Sequence, residues 1–541
     1  MKSFKNKSIC QLCRVFFFTL MLGTTGSLSA SANESPTAKS TRPNILWISC
    51  EDISSNLGCY GDTYATTPNL DRFSKQGIRF LQCFGHAGVC AVNRSGIITG
   101  VYPTSIGSQH MRSRIVPPPY IKCFTEYLRK AGYYCTNRSK TDYNFESPLT
   151  AWDKNGRRHK DWKGRAKGQP FFSVINLTIS HESKIRSKYD KLEHDPKKVK
   201  LPPYIPDTPL TRRDRARYYD IITKMDRQVG EILQRLKNDG LEENTVVIFW
   251  SDHGAGLPRA KRWLYDSGLQ VPMIVRWPGT LKPNSVRDDL VCFIDLAPTV
   301  LSLAGIEAPR HMQGRSFLPY ENVHRRKYIF AHRDRMDEAY DMIRAVRDHR
   351  YKYIRNFMPR RTYAQNIEYM NEMPTMKEMR RLYMAGKLKG AEKLYFRKTK
   401  PVEELYDLKN DPHEIDNIAS NPKFSTVLKR MRKVLEDWQV ETGDMGLIPE
   451  PILMESMRSH AKYAVAKPPQ IRLEPHQTST LVRLSCPTNG ASIAYTMRKG
   501  KNRNWKLYSK SFRVKPGTTL RTKACRLGYR DSKTIVQTIG K

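Results

Sequence analysis

Asn44-Ile-Leu-Trp-Ile-Ser49, entered from Pro43 and left for Glu51-Asp52, is a short apolar run that reads as a buried strand with two carboxylates at its end. Two further runs have the same form. Residues 171–177 (Phe-Phe-Ser-Val-Ile-Asn-Leu) lead to Ser180-His181, and residues 245–250 (Thr-Val-Val-Ile-Phe-Trp) lead to Asp252-His253. Helical patterns lie between them, one from Asn69 to Gln76 after a Thr-Pro start and one from Arg215 to Asp239 that stops at Gly240. Strands alternating with helices predict an α/β fold, a mostly parallel sheet covered on both faces. Ligands of such sheets bind beyond the carboxyl ends of the strands, so the three polar clusters are expected on one edge.

The pattern changes after about Tyr320. Residues 342–347 and 350–355 alternate around Asp348-His349 and predict a hairpin of a smaller antiparallel subdomain. Helical stretches are expected at 364–391 and 425–442, and a Pro- and Lys-containing linker at 449–470. From Ile471 short β-type runs with Gly turns predict an appended all-β module. The expected organisation is a catalytic domain at 43–340, a C-terminal subdomain at 341–448, the linker, and the module at 471–541.

Lys2, Lys5, Lys7 and Arg14 precede an apolar run from Val15 to Leu22 and an Ala30-Ser-Ala32 end, the parts of a secretory signal peptide over residues 1–32. That run is too short to span a bilayer. The mature protein is therefore expected in the periplasm or outside the cell, with no membrane span. The 541-residue chain carries a formal net charge of +41. Basic clusters recur at 157–167, 184–200, 212–217, 325–335 and 498–510, a surface that concentrates polyanions. Export removes the protein from most nucleic acid, so nucleic acid is not the expected partner and a sulfated glycan is. Nine cysteines follow residue 32, an odd number. Cys486 and Cys525 are the candidate disulfide pair, and Cys90 is excluded from pairing.

Cys90-Ala-Val-Asn-Arg94, followed by Thr99-Gly100, resembles the signature of the sulfatase family, Cys-x-Pro-Ser-Arg then Thr-Gly, whose cysteine is oxidised to formylglycine. Other family landmarks occur in order: Pro43-Asn-Ile-Leu, Gly58-Cys-Tyr-Gly61, Thr67-Pro-Asn-Leu-Asp71, Ser251-Asp-His-Gly254, Gly268-Leu-Gln-Val-Pro272 and Glu404-Leu-Tyr-Asp-Leu-Lys-Asn-Asp-Pro412. Together they span residues 43 to 445. The spacing around Asp252 and Leu264-Tyr-Asp-Ser-Gly268 looks most like the heparan N-sulfatase-like branch. The resemblance implies an alkaline-phosphatase-like fold and a sulfuric ester hydrolase acting on O- or N-linked sulfate. The tail resembles the β-sandwich domains appended to chitobiases and hexosaminidases.

Such chemistry needs a strong nucleophile and neutralised sulfate oxygens. The resemblance implies formylglycine at Cys90, made by a formylglycine-generating enzyme; its hydrate divides a hard displacement into two steps. It further implies one divalent metal, Ca²⁺ first and Mg²⁺ second, held by Glu51, Asp52, Asp252, His253 and position 90. Arg94, Lys140 and Lys261 take the family's basic positions, with Arg262 the neighbour that can replace Lys261. His181 matches a histidine that protonates the leaving group, and His110 is a further pocket candidate. Val92 and Asn93 depart from the family's Pro and Ser. Two other readings stay open: a catalytically impaired glycan-binding homologue, and a phosphonate or phosphate ester hydrolase on the same fold.

Overall fold

The computed structural model describes residues 42–187, 191–319, 325–498, 500 and 504–540; the expected signal peptide lies outside them. The first strand, β1 (Asn44–Cys50), is buried along its whole length because it is central. Its side chains alternate between two cores. Leu46, Ile48 and Cys50 join one, while Ile45 and Trp47 join the other on the opposite face. Around it run β2 (Ile78–Phe84), β3 (Tyr134–Arg138), β4 (Lys154–Asn155), β5 (Phe171–Leu177), β6 (Thr245–Ser251), β7 (Gln270–Arg276), β8 (Ser285–Arg287) and β9 (Val291–Cys292). They form a nine-stranded sheet of order β4-β3-β5-β1-β6-β7-β2-β8, with β9 also on β2. Only the β6–β7 and β2–β7 pairings are antiparallel, so the sheet is mostly parallel, as expected.

Register matters most for function. Cys50 lies opposite both Leu177 and Ser251, so β1, β5 and β6 end level. Glu51-Asp52, the Thr178–Ser180 turn before His181, and Asp252-His253 therefore leave the sheet at one height.

The hairpin expected after Met342 is present. β10 (Ile329–Arg333), β11 (Ile343–Arg347), β12 (Tyr351–Asn356) and β13 (Glu403–Asp407) make an antiparallel sheet in chain order. The Ser425–Thr442 helix covers it, with Trp438 stacked on Phe330 at 5.0 Å. The stretch expected as one helix from Ala364 to Ala391 is broken into Glu368–Asn371 and Pro374–Met384, because Pro374 cannot continue a helix and restarts one at its first turn. The long helix begins at Pro209, ahead of the expected Arg215, where Thr208 and Thr211 form a reciprocal cap.

Residues 450–457 fold as a helix; Leu453 is buried and Glu450 pairs with Arg335. The tail holds two small sheets: β14 (Gln470–His476), β15 (Ser479–Ser485) and β18 (Phe512–Val514), and β16 (Ser492–Thr496), β17 (Lys506–Leu507), β19 (Thr519–Cys525) and β20 (Ile535–Thr538). Cys486 and Cys525 are free thiols, which corrects the expected pairing. They follow β15 and end β19, strands of different sheets, and the Cys486 thiol instead faces the Lys467 carbonyl. Among the described residues no helix is long and apolar enough to cross a membrane.

The tail is bonded to the body. Lys122 donates to the Gly490 carbonyl and to Ser492, Arg526 donates to the Pro117 carbonyl, and Arg458 bridges the carbonyls of Arg114 and Gly528. Gly490 has φ +75° and approaches so closely that a Cβ would lie 2.3 Å from the Pro119 carbonyl oxygen. Deleting residues 470–541 is accordingly expected to lower Tm, by about 1 °C for each kcal/mol of lost docking in a body of this size. An unchanged Tm in differential scanning calorimetry would show that these contacts contribute nothing.

Candidate active site and metal centre

Cys90 is the first residue of a buried ten-residue helix, Cys90–Thr99, whose N-terminal dipole favours negative charge beside it. One turn on, Arg94 shares that face. It donates to Asp252 Oδ2 through Nε and Nη2 (3.3 and 3.1 Å) and to Asn176 Oδ1 through Nη1 (2.8 Å). The thiol of Cys90, a carboxylate oxygen of Asp252 and a ring nitrogen of His253 lie within 4.8 Å of one another.

The β1 end supplies the other acids. Glu51 Oε1 meets Lys140 Nζ at 2.7 Å, with Arg94 Nη2 at 3.9 Å. Asp52 sits at φ +56°, a left-handed conformation unusual for aspartate, and such strain persists only where its surroundings enforce it. Its Oδ2 accepts from Lys261 Nζ (2.7 Å) and from the Glu182 N–H (2.7 Å), while Oδ1 faces His253 Nε2 at 3.0 Å. Burial works against the charges on Lys140 and Lys261, but the facing anionic groups outweigh it and raise both pKa values. Asp52 is held well below the usual carboxylate range: burial opposes this, and Lys261 and His253 overcome it.

His253 Nδ1 lies 3.0 Å from the Gly254 carbonyl and can bond it only as a donor, so in the neutral ring Nε2 carries a free lone pair. That lone pair points at Asp52 Oδ1, another acceptor. Glu51 Oε1, Asp52 Oδ1 and His253 Nε2 are all buried without a well-formed hydrogen bond. Facing acceptors such as Asp52 Oδ1 and His253 Nε2 need a proton or a cation between them, whereas Glu51 Oε1 already has Lys140 Nζ at 2.7 Å. Burial alone would lower the His253 pKa, yet Asp252 and Asp52 push it up to about 10, so without a metal the proton on Nε2 faces Asp52 Oδ1. The ligand atoms fall into two groups, Cys90 with Asp252 and His253, and Asp52 with His181 and Glu182, joined by the Asp52–His253 approach. Glu51 belongs to neither, and such mixed carboxylate and imidazole donors suit a divalent cation. Gly254 completes the motif through packing: a Cβ there would lie 2.1 Å from the Ser267 carbonyl oxygen.

The two neighbouring cations separate. Lys261 reaches Asp52 and also Glu182 (2.9 Å), whereas Arg262 turns to Glu182 (3.0 Å) and Asp337 (3.5 Å). Glu182 anchors both, and although burial opposes it, Arg262 and Lys261 bring its pKa to about 2. His181 contributes a ring nitrogen within 4.8 Å of acid oxygens on Asp52 and Glu182. Its Nδ1 accepts the Ser183 N–H at 3.3 Å, which leaves the neutral ring's proton on Nε2. His110 stands elsewhere. It is buried, stacked on Tyr340 at 5.6 Å, and its Nδ1 accepts the Arg335 N–H.

Sequence reading missed Glu182, Asn176 and the role of Asn93. The only hint of Asn176 was a polar residue inside an apolar strand; its Oδ1 accepts from Arg94 and from Ser49 Oγ (2.7 Å). Asn93, where the family pattern has Ser, donates to the Asp252 carbonyl (2.8 Å) and clasps Ala87 through both N–H and carbonyl. Val92 is buried within the first helical turn.

A sequence model of the sulfatase family matches residues 43–158 and 136–306, and one described as N-sulphoglucosamine sulphohydrolase, C-terminal, matches 258–393. An ulvan-active sulfatase from Formosa agariphila is 38% identical over 91% of each chain. The chain belongs to the sulfatase family. Human N-sulphoglucosamine sulphohydrolase is 25% identical over 76% of this chain and 93% of its own. Among solved structures, a protein in complex with its substrate D-glucosamine-2-N,6-O-disulfate superposes with a TM-score of 0.56 at 19% identity, covering 76% of this sulfatase and 99% of that chain. Phosphonate monoester hydrolase of Agrobacterium radiobacter shares the fold equally well, with a TM-score of 0.57 at 18% identity over 75% and 97% of the two chains. The activity that goes with the family is sulfate ester hydrolysis, and sulfatases in general work with a metal and a formylglycine.

If the orphaned acceptors form a cation site, calcium at about 100 times its Kd is expected to stabilise the wild type by about 2.7 kcal/mol and raise Tm. Asp252→Asn should lose that response while remaining folded. A wild-type Tm indifferent to both calcium and magnesium would contradict the assignment.

Proposed function

We propose that this sulfatase removes sulfate from a sulfated polysaccharide outside the cytoplasm, with Cys90, matured to formylglycine by a formylglycine-generating enzyme, as the nucleophile. The observation that carries this reading is the position of Cys90: at a helix N-terminus, beside Asp252 and His253, with Lys140 and Lys261 each 2.7 Å from a carboxylate of the same cluster. Glu51, Asp52, Asp252, His253 and position 90 would hold the metal, calcium by preference for this many carboxylates. When bound, that ion would neutralise sulfate charge and lower the pKa of the attacking hydroxyl. Similarity to an ulvan-active sulfatase and to N-sulphoglucosamine sulphohydrolase supports a glycan substrate.

The chain's own residues would do the rest. Arg94 locks Asp252 in place and Asn176 locks Arg94, so the carboxylate cannot turn away from position 90. Lys140 and Lys261 would exchange part of their bonding with Glu51 and Asp52 for sulfate oxygens, giving fixed positive charge in a largely buried site. His181, protonated on both nitrogens with Nδ1–H facing Ser183 Oγ at 3.0 Å, would donate its Nε2 proton to the bridging oxygen as the S–O bond breaks. It would then relax to the neutral ring that burial favours. Arg262, spent on Glu182 and Asp337, would act by orienting Glu182 and not by touching sulfate.

The test is a comparison of leaving groups. His181→Ala should cost about 10²–10⁴-fold in kcat on sulfated oligosaccharides, whose alkoxide must be protonated. On a nitrophenyl sulfate, whose phenolate leaves unaided, the loss should be much smaller. Wild type should prefer that aryl sulfate to the matching aryl phosphate. Equal losses on both sulfate substrates would remove His181 as the acid, and a preference for phosphate would overturn the sulfatase reading.

A further inference from the structure

Residues 470–541 hold sixteen Lys and Arg residues against two acids, Glu474 and Asp531, a formal +14. The distribution of that charge on the two sheets is uneven. On β15, Thr480, Val482 and Leu484 point inward and Leu481, Arg483 and Ser485 outward. The β14–β15 register sets Arg472 directly opposite Arg483, and the β15–β18 register sets Arg513 opposite Leu481, so all three arginines share the outer face. Arg472 is 80% exposed and Arg483 53%, and Arg513 is exposed as well. Glu474 is the single acid on that face. It meets both Arg472 and Arg483, at 3.4 and 3.0 Å, and leaves the trio with a net positive charge.

Two like charges directly opposed across strands destabilise a sheet. Nothing in the module requires them there for packing, since the core beneath is apolar: Val482, Leu484, Ile493, Val514, Leu520 and Ile539. Three of the module's five aromatic residues, Tyr495, Tyr508 and Phe512, pack against that core as well. Tyr495 stacks on Phe512 at 4.4 Å and Tyr508 packs edge-on against it, so these rings are engaged with one another. The bonds that tie the module to the body involve Gly490, Ser492, Asn504, Trp505, Arg526 and Gly528, on or beside the other sheet, and leave the arginine face turned outward.

We propose that the outer face of β14–β15–β18 is a docking surface for a sulfated polysaccharide chain, separate from the catalytic centre. The inference rests on the proposed polysaccharide substrate and assigns the module a capture role through charge. Guanidinium groups pair bidentately with sulfate and carboxylate, and a flat row of them follows an extended polyanion over several residues. A tethered or pre-docked chain then presents its sulfates to the catalytic centre at a raised local concentration.

The test uses the full chain in three forms: wild type, R472Q/R483Q/R513Q, and a control, K75Q/K237Q/K282Q, that removes three exposed cations from the catalytic body. Binding to dextran sulfate, unsulfated dextran, duplex DNA and phosphatidylserine vesicles is measured at low and at physiological salt, alongside nitrophenyl sulfate turnover. The sheet variant should weaken dextran sulfate binding about tenfold or more with a flatter salt dependence, whereas the control should change it less than about threefold. Turnover and Tm should be unchanged in both variants. Equal weakening in the two variants, or none in the sheet variant, would overturn the proposal, as would a larger loss on DNA or vesicles than on dextran sulfate. Absent sulfatase turnover in wild type would defeat the functional reading without touching the binding comparison.

Discussion

Four carboxylates, Glu51, Asp52, Glu182 and Asp252, are buried together at the carboxyl ends of β1, β5 and β6, and each must be compensated where water cannot help. Arg94, Lys140, Lys261 and Arg262 match them in number, and each cation lies against at least one of the acids. Removing one partner of such a pair typically costs about 3–5 kcal/mol, because it leaves a charge buried alone. The rest of the domain can be understood from this constraint. Level strand ends place the acids, the helix beginning at Cys90 supplies Arg94, and the loop from Gly254 to Arg262 delivers two cations from one short segment.

The network is satisfied as charge but not as hydrogen bonding. Asp52 Oδ1 and His253 Nε2 face each other at 3.0 Å, and Glu51 Oε1, beside Lys140 Nζ at 2.7 Å, lacks a well-formed hydrogen bond. The left-handed Asp52 and the side-chain-free Gly254 show that the backbone, too, is shaped to hold the carboxylates at one point.

Much of this was legible in residue order. The three apolar runs became β1, β5 and β6, the reading of Ser425–Thr442 as a helix matches the structure, and the polar pairs after each strand converged as expected. What escaped was set by long-range pairing. Glu182 gains its meaning from Lys261 and Arg262, some eighty residues away, and Asn176 from Arg94 across two elements. Asn93, a departure from the family pattern, makes sense only once Ala87 and the Asp252 carbonyl are seen on either side of it. Likewise the fates of the tail's aromatics and of Cys486 and Cys525 depended on which sheet each strand joined, which spacing does not encode.

The central claim is that position 90, as formylglycine, is the nucleophile of this charge-balanced site. Its most direct test is mass spectrometry of the peptide containing position 90, from protein made with and without a co-expressed formylglycine-generating enzyme, set against sulfatase turnover of the same samples. The account predicts that turnover rises in proportion to the fraction of position 90 carrying an aldehyde, and that Cys90→Ala is folded and inactive. Full turnover from protein whose Cys90 is entirely thiol, or from Cys90→Ala, would contradict it.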